Sequence, residues 1–355
     1  MEEILELVCL DEMTTDDVEH ILLYELLFFR SEIHFRSTSY GYFNLDKISN
    51  ESCKQLFRFE KRDLERLRLN LGIPDVIETA QRYRVTGVVG LCICLHRLTY
   101  PNRLSDLERT FGLSSSYISS VSNHVMSIIE TNKGHILHNL NNIPWLNETK
   151  LKYYAKAISN KGAPIQNCWA FIDGTARPIC RPTVNQQNYF SGHKRYHCLK
   201  YQSVLTPDGI IVNLRGPYPG RRHDAGMLRD TNLYTELMEI AVHGSTTYVI
   251  YGDSAYPMSE LILKPYCSRI LTPEQVAFNR VMSSVRQAVE WEFGKIIIEF
   301  AFLDFRKNQK LLLQHVGQMY KVGVILTNCQ TCLYGSQTGT YFNIVPPTLE
   351  QYLNI

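Results

Sequence analysis

Four acidic side chains stand in short motifs that share one plan. Trp169-Ala-Phe-Ile-Asp173-Gly-Thr175 is an apolar run that ends in a carboxylate, with a Gly-Thr turn at once after it. That pattern predicts Asp173 at the mouth of a buried strand, where a sheet holds it rigidly. Arg221-Arg-His-Asp224-Ala-Gly226 is a second such placement, and Thr247-Tyr-Val-Ile-Tyr-Gly-Asp253-Ser-Ala-Tyr-Pro257 a third. Val285-Arg-Gln-Ala-Val-Glu290-Trp-Glu-Phe-Gly294 is helical in pattern and closes the set. Acids at strand ends plus one on a later helix suit a pair of hard divalent cations, which take oxygen ligands and a substrate phosphate.

Each acid alone has a blander meaning. A single Asp-Gly is usually a turn, Asp253 alone can cap a following element, and Glu290 alone can be a solvated helix residue. Glu292 is a rival for the last ligand, on a different helix face. His193, His197 and His223 raise zinc as an alternative, but the carboxylate majority favours Mg²⁺ or Mn²⁺. Cys329-Gln-Thr-Cys332 is a lone CxxC with no second pair, and Cys92 and Cys94 sit in an apolar helix. All four cysteines read as buried or capping rather than zinc-binding.

The elements that must position these acids follow from periodicity. Cys168 to Ile172 is the first strand, Lys194 to Leu205 alternates as a long strand, and Thr206-Pro-Asp-Gly209 is a turn into Ile210 to Leu214. Met227 to Val242 has helical spacing, Tyr248 to Tyr251 is another apolar strand, and Glu274 to Ile298 reads as one long helix. Glu290 lies at the edge of that helix's apolar stripe, which turns it to a sheet rim. Strand with Asp, hairpin, helix, strand with Asp, helix with Glu is the order of an RNase H-like fold. The expected fold class is therefore α/β, a mixed five-stranded sheet flanked by helices over residues 161–335.

Upstream the pattern is helical. Residues 1–30 carry nine acids and one base and read as amphipathic helix. Ser52 to Leu71 reads as a helix with mixed charge, and Val85 to Leu98 as a core helix. Asn102 to Val125 has the spacing of a helix-turn-helix around Gly112, whose second helix presents Ser116, Tyr117, Ser119, Ser120, Ser122 and Asn123 to phosphates and base edges. The expected organisation is an N-terminal helical arm (1–80), a helical domain with the helix-turn-helix (81–160), the α/β domain (161–335) and an extended tail (336–355).

Bulk composition limits what the chain does. With 355 residues, 45% hydrophobic and 20% charged, it is long enough for two domains and reads as globular. A net charge of +2 is weak for a protein that grips nucleic acid unaided. Ten irregularly spaced cysteines read as reduced thiols of a cytosolic or nuclear protein, and no apolar run reaches the length of a membrane span.

Residues from about 80 to 335 resemble a transposase of the PIF/Harbinger superfamily, or a nuclease derived from one. The carriers are Phe171-Ile-Asp-Gly-Thr175, Gly220-Arg-Arg-His-Asp-Ala225, Gly252-Asp-Ser-Ala-Tyr-Pro257 and Arg286-Gln-Ala-Val-Glu290-Trp-Glu-Phe-Gly294, in that order. The resemblance implies a catalytic triad of Asp173, Asp253 and Glu290, with Asp224 as a further acid, holding two Mg²⁺ or Mn²⁺ ions. It implies cleavage of DNA at transposon ends and joining to target DNA, with His193, Lys194, Arg195, Arg221 and Arg222 meeting phosphates. It also implies a Myb-like partner protein for terminal-repeat binding and entry to the nucleus, leaves a homo-oligomer open, and places the chain in the nucleus, or in the cytoplasm without that partner. Two other classes compete. One is a domesticated DNA-binding or scaffold protein with an idle site; the other is a phosphoesterase acting on RNA or small phosphates.

Overall fold

The computed structural model describes residues 43–354. The acidic helix expected over residues 1–30 lies outside them. The described chain divides into two compact units, residues 48–102 with 120–354, and residues 43–47 with 103–119. Residues on both sides of position 160 lie in one unit.

Helices in chain order are α1 (Asn50–Phe57), α2 (Lys61–Asn70), α3 (Gly87–Thr99), α4 (Leu104–Phe111), α5 (Ser115–Lys133), α6 (Glu148–Asn160), α7 (Asp224–Arg229), α8 (Leu233–Ala241), α9 (Pro273–Arg286), α10 (Ala288–Glu299), α11 (Val316–Tyr334), α12 (Gln337–Phe342) and α13 (Leu349–Leu353). The main sheet is mixed and holds β1 (Cys168–Pro178), β2 (Phe190–Ser191), β3 (Tyr196–Leu205), β4 (Ile211–Pro219), β5 (Val249–Tyr251) and β6 (Ile262–Leu263). Their order is β6-β5-β1-β3-β2, with β4 also on β3. β1, β3 and β4 are antiparallel neighbours, whereas β5 joins β1 and β6 joins β5 in parallel. The architecture is compatible with an RNase H-like domain. The sheet has six strands rather than five because the two-residue β2 pairs back on β3 around the His193–Arg195 turn.

The first five residues of β1 are all buried, which is why they read as a continuous apolar run. α6 and α10 pack on this strand, and α11 packs on β4. Asn328 of α11 completes the start of β4: its Oδ1 accepts from the Ile211 N–H at 3.0 Å, and its Nδ2 donates to the Ile211 carbonyl at 2.9 Å. A side-chain amide thus takes the place of a neighbouring strand.

Several expected boundaries move. β1 does not stop at Asp173. Gly174 to Pro178 keep pairing with β3 after β5 has ended, so the Gly-Thr pair is strand and not turn. The long helix over 274–298 divides at Gln287 into α9 and α10, and the one over 227–242 divides into α7 and α8. Ser52 to Leu71 forms two helices because Arg58 takes a left-handed conformation, φ 64°. The tail expected to be extended folds instead into α12 and α13, which bury Phe342, Leu349, Tyr352 and Leu353. The basic residues of α1 and α2 are largely internally paired: Arg66 with Glu350, Arg68 with Glu65 and Asp75, Arg62 and Lys54 with Glu60.

The Thr206–Gly209 turn is buried rather than exposed. The Asp208 carboxylate accepts from the Tyr154 hydroxyl of α6, from Thr206 Oγ1 at 2.6 Å and from the Ile210 N–H at 3.3 Å. Asp208→Ala leaves the Tyr154 hydroxyl and the Ile210 N–H without their acceptor, while Thr206 Oγ1 keeps the Ile210 carbonyl at 2.9 Å. We expect a loss of about 3 kcal/mol in urea unfolding; a loss below about 1 kcal/mol contradicts this role for the turn.

Candidate active site

Four chain segments bring their acids to one cavity of about 410 Å³, lined by Asp173, Asp224, Asp253 and Glu290 with His193, Lys194, Lys200 and Arg286. Asp173 comes from β1, at the level where β5 ends and only β3 continues beside it. Asp253 follows β5 by two residues, so the two parallel strands deliver their acids to the same rim. Asp224 is the first residue of α7, and Glu290 lies in the first turn of α10.

Two glycines permit the close approach. A Cβ on Gly174 would stand 3.1 Å from Asp224 Oδ1, and one on Gly252 would stand 2.9 Å from the Tyr256 ring. Gly174 therefore admits the Asp224 carboxylate beside Asp173. Gly252 lets Tyr256 pack under the loop that holds Asp253.

Each carboxylate has a distinct environment. Asp173 Oδ1 accepts the Gly174 N–H at 2.8 Å, and Oδ2 accepts from Arg286 Nη1 at 2.6 Å. Burial nonetheless pushes the Asp173 carboxyl from 3.8 up to about 6; Arg286 opposes the rise and Asp253 adds to it. Asp224 is also raised, by burial first, with Lys200 Nζ at 3.9 Å opposing and Asp253 reinforcing. Asp253 Oδ1 accepts the Ala255 N–H at 2.9 Å, a local turn rather than a helix cap. Glu290 is exposed at the rim. Tyr256 is fully buried and its hydroxyl has no partner among the described residues. Burial, and then Asp224, Asp173 and Asp253, hold that phenol well above its usual range.

Glu292 does not face this cavity. It is 2% exposed and lines a separate space of about 450 Å³ with Lys295 and Ser336. Two residues along a helix is about 200° of turn, so the two glutamates face apart. Arg221 and Arg222 line neither of these cavities but a third, and Arg195 lines none of the three. His197 pairs with Phe190 across β2 and β3, edge to face with its ring, outside the acidic cavity. Sequence reasoning missed Lys200, Arg286 and Tyr256. Tyr256 and Arg286 lie inside the quoted motifs, so the signal was there, while Lys200 comes from β3 and only register brings it across.

Among the described residues no three His, Cys, Asp or Glu side chains stand close enough together to hold a metal ion as they are. The described cysteines are free thiols, with Cys92, Cys94 and Cys329 buried.

α4 and the start of α5 meet at Gly112, whose φ is 66°. Ser114 Oγ accepts the Tyr117 N–H at 3.4 Å, and the Glu108 carboxylate accepts the Ser115 N–H at 2.7 Å. On α5, Ser116 and Asn123 are exposed and Tyr117 and Ser119 half-buried. Ser122 is 2% exposed and Ser120 donates to Gln81, so Ser122 cannot reach a ligand on that face.

A family model described as "DDE superfamily endonuclease" matches residues 172–328, the stretch that carries all four acids. The chain is similar to "Protein ALP1-like" of Arabidopsis thaliana, 24% identical over 218 residues, which cover 58% of this chain and 51% of that protein. It is also similar to "Probable transposase for insertion sequence element IS702" of Microchaete diplosiphon, 27% identical over 128 residues, 36% of this chain and 45% of that protein. The chain thus spans about half the length of the curated relatives it matches. No solved structure matches. No helix among the described residues is long and apolar enough to cross a membrane.

The Asp173 shift gives a test of the cavity's electrostatics. Its folded pKa is raised, so its contribution favours folding at pH below 3.8 and is lost as pH rises toward about 6. In metal-free protein the Asp173 carboxyl carbon should titrate near 6 by NMR, and Arg286→Ala should move that midpoint higher. A midpoint near 3.8, or a downward move in the variant, contradicts the cavity as drawn.

Proposed function

We propose that this chain is a divalent-metal-dependent DNA endonuclease of PIF/Harbinger transposase descent, cutting phosphodiesters at transposon ends. The observation that carries the reading is the convergence of Asp173, Asp224, Asp253 and Glu290 on one cavity of the DDE domain. The transposase among the relatives supports it.

The residues fit the implied metal. The donors are carboxylate oxygens, which suit Mg²⁺ or Mn²⁺ better than zinc. The Tyr256 hydroxyl, buried and without a partner among the described residues, is an orphan polar group in the field of Asp224, Asp173 and Asp253. Asp173, Asp253 and Glu290, with Asp224, would hold two such ions, which supply charge stabilisation and a more acidic water when bound.

The chain's own residues do the rest. Asp173 must be ionised to act as a ligand, and its Oδ2 must leave Arg286. Arg286 is then free to meet a phosphate oxygen bidentately. His193, Lys194 and Lys200 line the same cavity and offset the charge of an incoming phosphodiester. Lys200 Nζ is fixed at 2.7 Å from the Arg222 carbonyl, which aims it along the cavity wall. A free 3′-OH left by cleavage is the group that would attack target DNA. The net charge of +2 supports a helper in gripping DNA, so the Myb-like partner and the nuclear location belong to this proposal, as do the α5 contacts by Ser116, Tyr117, Ser119 and Asn123.

A second reading keeps the fold and idles the chemistry, as a DNA-binding or scaffold protein. The Arg286–Asp173 pair is the observation that favours it, since an internal cation already sits on the central acid. The two readings separate in a nicking assay with Mn²⁺ and duplex carrying the element's terminal repeats. The endonuclease reading expects cleavage by the wild type and none by Asp173→Asn; equal cleavage by both removes it. Mn²⁺ binding followed by calorimetry gives a further check. Arg286→Ala frees one charge-assisted hydrogen bond, so Mn²⁺ affinity should rise roughly tenfold, about 1.4 kcal/mol. An unchanged or weaker affinity means Arg286 does not compete with metal for Asp173.

A further inference from the structure

The segment from Pro219 to Asp230 stands between two cavities. Asp224 lines the one that holds the carboxylates, while its neighbour His223 lines another, of about 680 Å³. Arg221, Arg222 and Arg229 face this second space, with Asn188 and Tyr218 on its wall. Adjacent residues open to different cavities, so the partition is one residue thick.

Charge in the second cavity is unbalanced. Asp230 is the one acid in its lining, and it is engaged: Arg222 Nη2 donates to both of its oxygens. Arg222 is also held from behind, because its N–H donates to the Pro219 carbonyl at 2.8 Å and its own carbonyl accepts Lys200 Nζ at 2.7 Å. It is a brace. Arg221 and Arg229 are exposed, and among the described residues the cavity's one ion pair is that of Arg222. The backbone under Arg221 is fixed by its N–H, which donates to the Asn188 carbonyl at 3.1 Å. Two exposed guanidinium groups thus face one concave space whose single acid is already engaged, so an entering anion is favoured there. Their planar donor forks match phosphate oxygens.

We infer that this second cavity binds a phosphodiester of the same DNA strand, flanking the one presented to the carboxylates, with Arg221 and Arg229 as its ligands. The inference rests on the endonuclease reading above and adds a second contact point that sets where the strand lies. Phosphate contacts of this kind fix register and orientation rather than sequence.

The test uses the full chain and a fluorescein-labelled single-stranded oligonucleotide in EDTA, with affinity measured against salt. Arg221→Ala/Arg229→Ala should bind on the order of tenfold more weakly, and its log K against log salt slope should fall by about 0.7 to 1. Arg221→Lys/Arg229→Lys should keep the slope and recover part of the affinity. Lys54→Ala/Arg62→Ala removes the same charge from exposed sites on α1 and α2 and should change little. The Arg221/Arg229 alanine variant should bind Mn²⁺ as the wild type does and melt at the same temperature. Loss of affinity equal in the Lys54/Arg62 variant would make the effect a general field and overturn the site. So would wild-type affinity in the Arg221/Arg229 variant, or a nucleoside monophosphate binding as tightly as the oligonucleotide. Wild-type protein that never cuts DNA, yet loses binding on removal of Arg221 and Arg229, would end the endonuclease reading and leave the phosphate cavity standing.

Discussion

Bringing like charges together is the constraint that organises this domain. Burial is the largest cost to Asp173 and Asp224, and the charge of Asp253 adds to it at both. The chain meets the cost locally. Arg286 sits on Asp173, Lys200 stands near Asp224, and backbone N–H groups serve Asp173 and Asp253. The offset is incomplete, since Asp173 and Asp224 both remain raised above their ordinary values. A cavity that carries surplus negative charge after its own cations are counted is a place where a divalent cation is favoured.

Sheet topology makes the gathering possible. β1 and β5 run in parallel, so their C-terminal ends lie side by side and the acids after each arrive at one rim. β1 then continues past Asp173 along β3, and this brings Lys200 opposite Ala176, within reach of Asp224. Close approach across the rim needs small residues, which is why Gly174 and Gly252 each adjoin one of the acids. Neighbouring cavities divide the work of charge: one is acidic with borrowed cations, the other basic with a single acid already engaged.

How much of this is legible in the amino-acid order depends on range. Apolar runs ending in Asp, the Pro-Asp-Gly turn and the helical stripe before Glu290 are local signals, and the strands and helices they announce are present with shifted ends. The ends shift because pairing partners decide them. Nothing in Asp173-Gly-Thr announces that β3 keeps the strand going to Pro178, nor does Arg58 announce the left-handed break between α1 and α2. The cations on the site were hidden for the same reason. Lys200 is an ordinary strand residue until the β1–β3 register is known. Arg221 and Arg222 looked like one pair with one purpose, whereas Asp230, eight residues on, claims only the second. The tail's few charges and paired prolines read as extended, but Phe342, Leu349 and Tyr352 find a core to bury against.

Helix α10 shows how remote packing sets the chemistry. Glu290 and Glu292 are two positions apart, so one orientation of the helix cannot serve both in the same cavity. Burial raises the Glu292 carboxyl, with Lys295 opposing, and Thr338 and Ser336 of the C-terminal segment hydrogen-bond to it. Lys295 in turn donates to Thr331 Oγ1 at 2.7 Å and the Gly335 carbonyl at 3.2 Å. The Thr206–Gly209 turn closes the same region: Ser336 Oγ lies 3.4 Å from the Asp208 carbonyl. These contacts fix the rotation of α10 about its axis. A buried acid on one face is costly unless its partners stay in place, and that cost resists any turn of the helix that would carry Glu290 away from the rim. The short helix α12 and the serine that caps it therefore take part in aiming a carboxylate of the cavity.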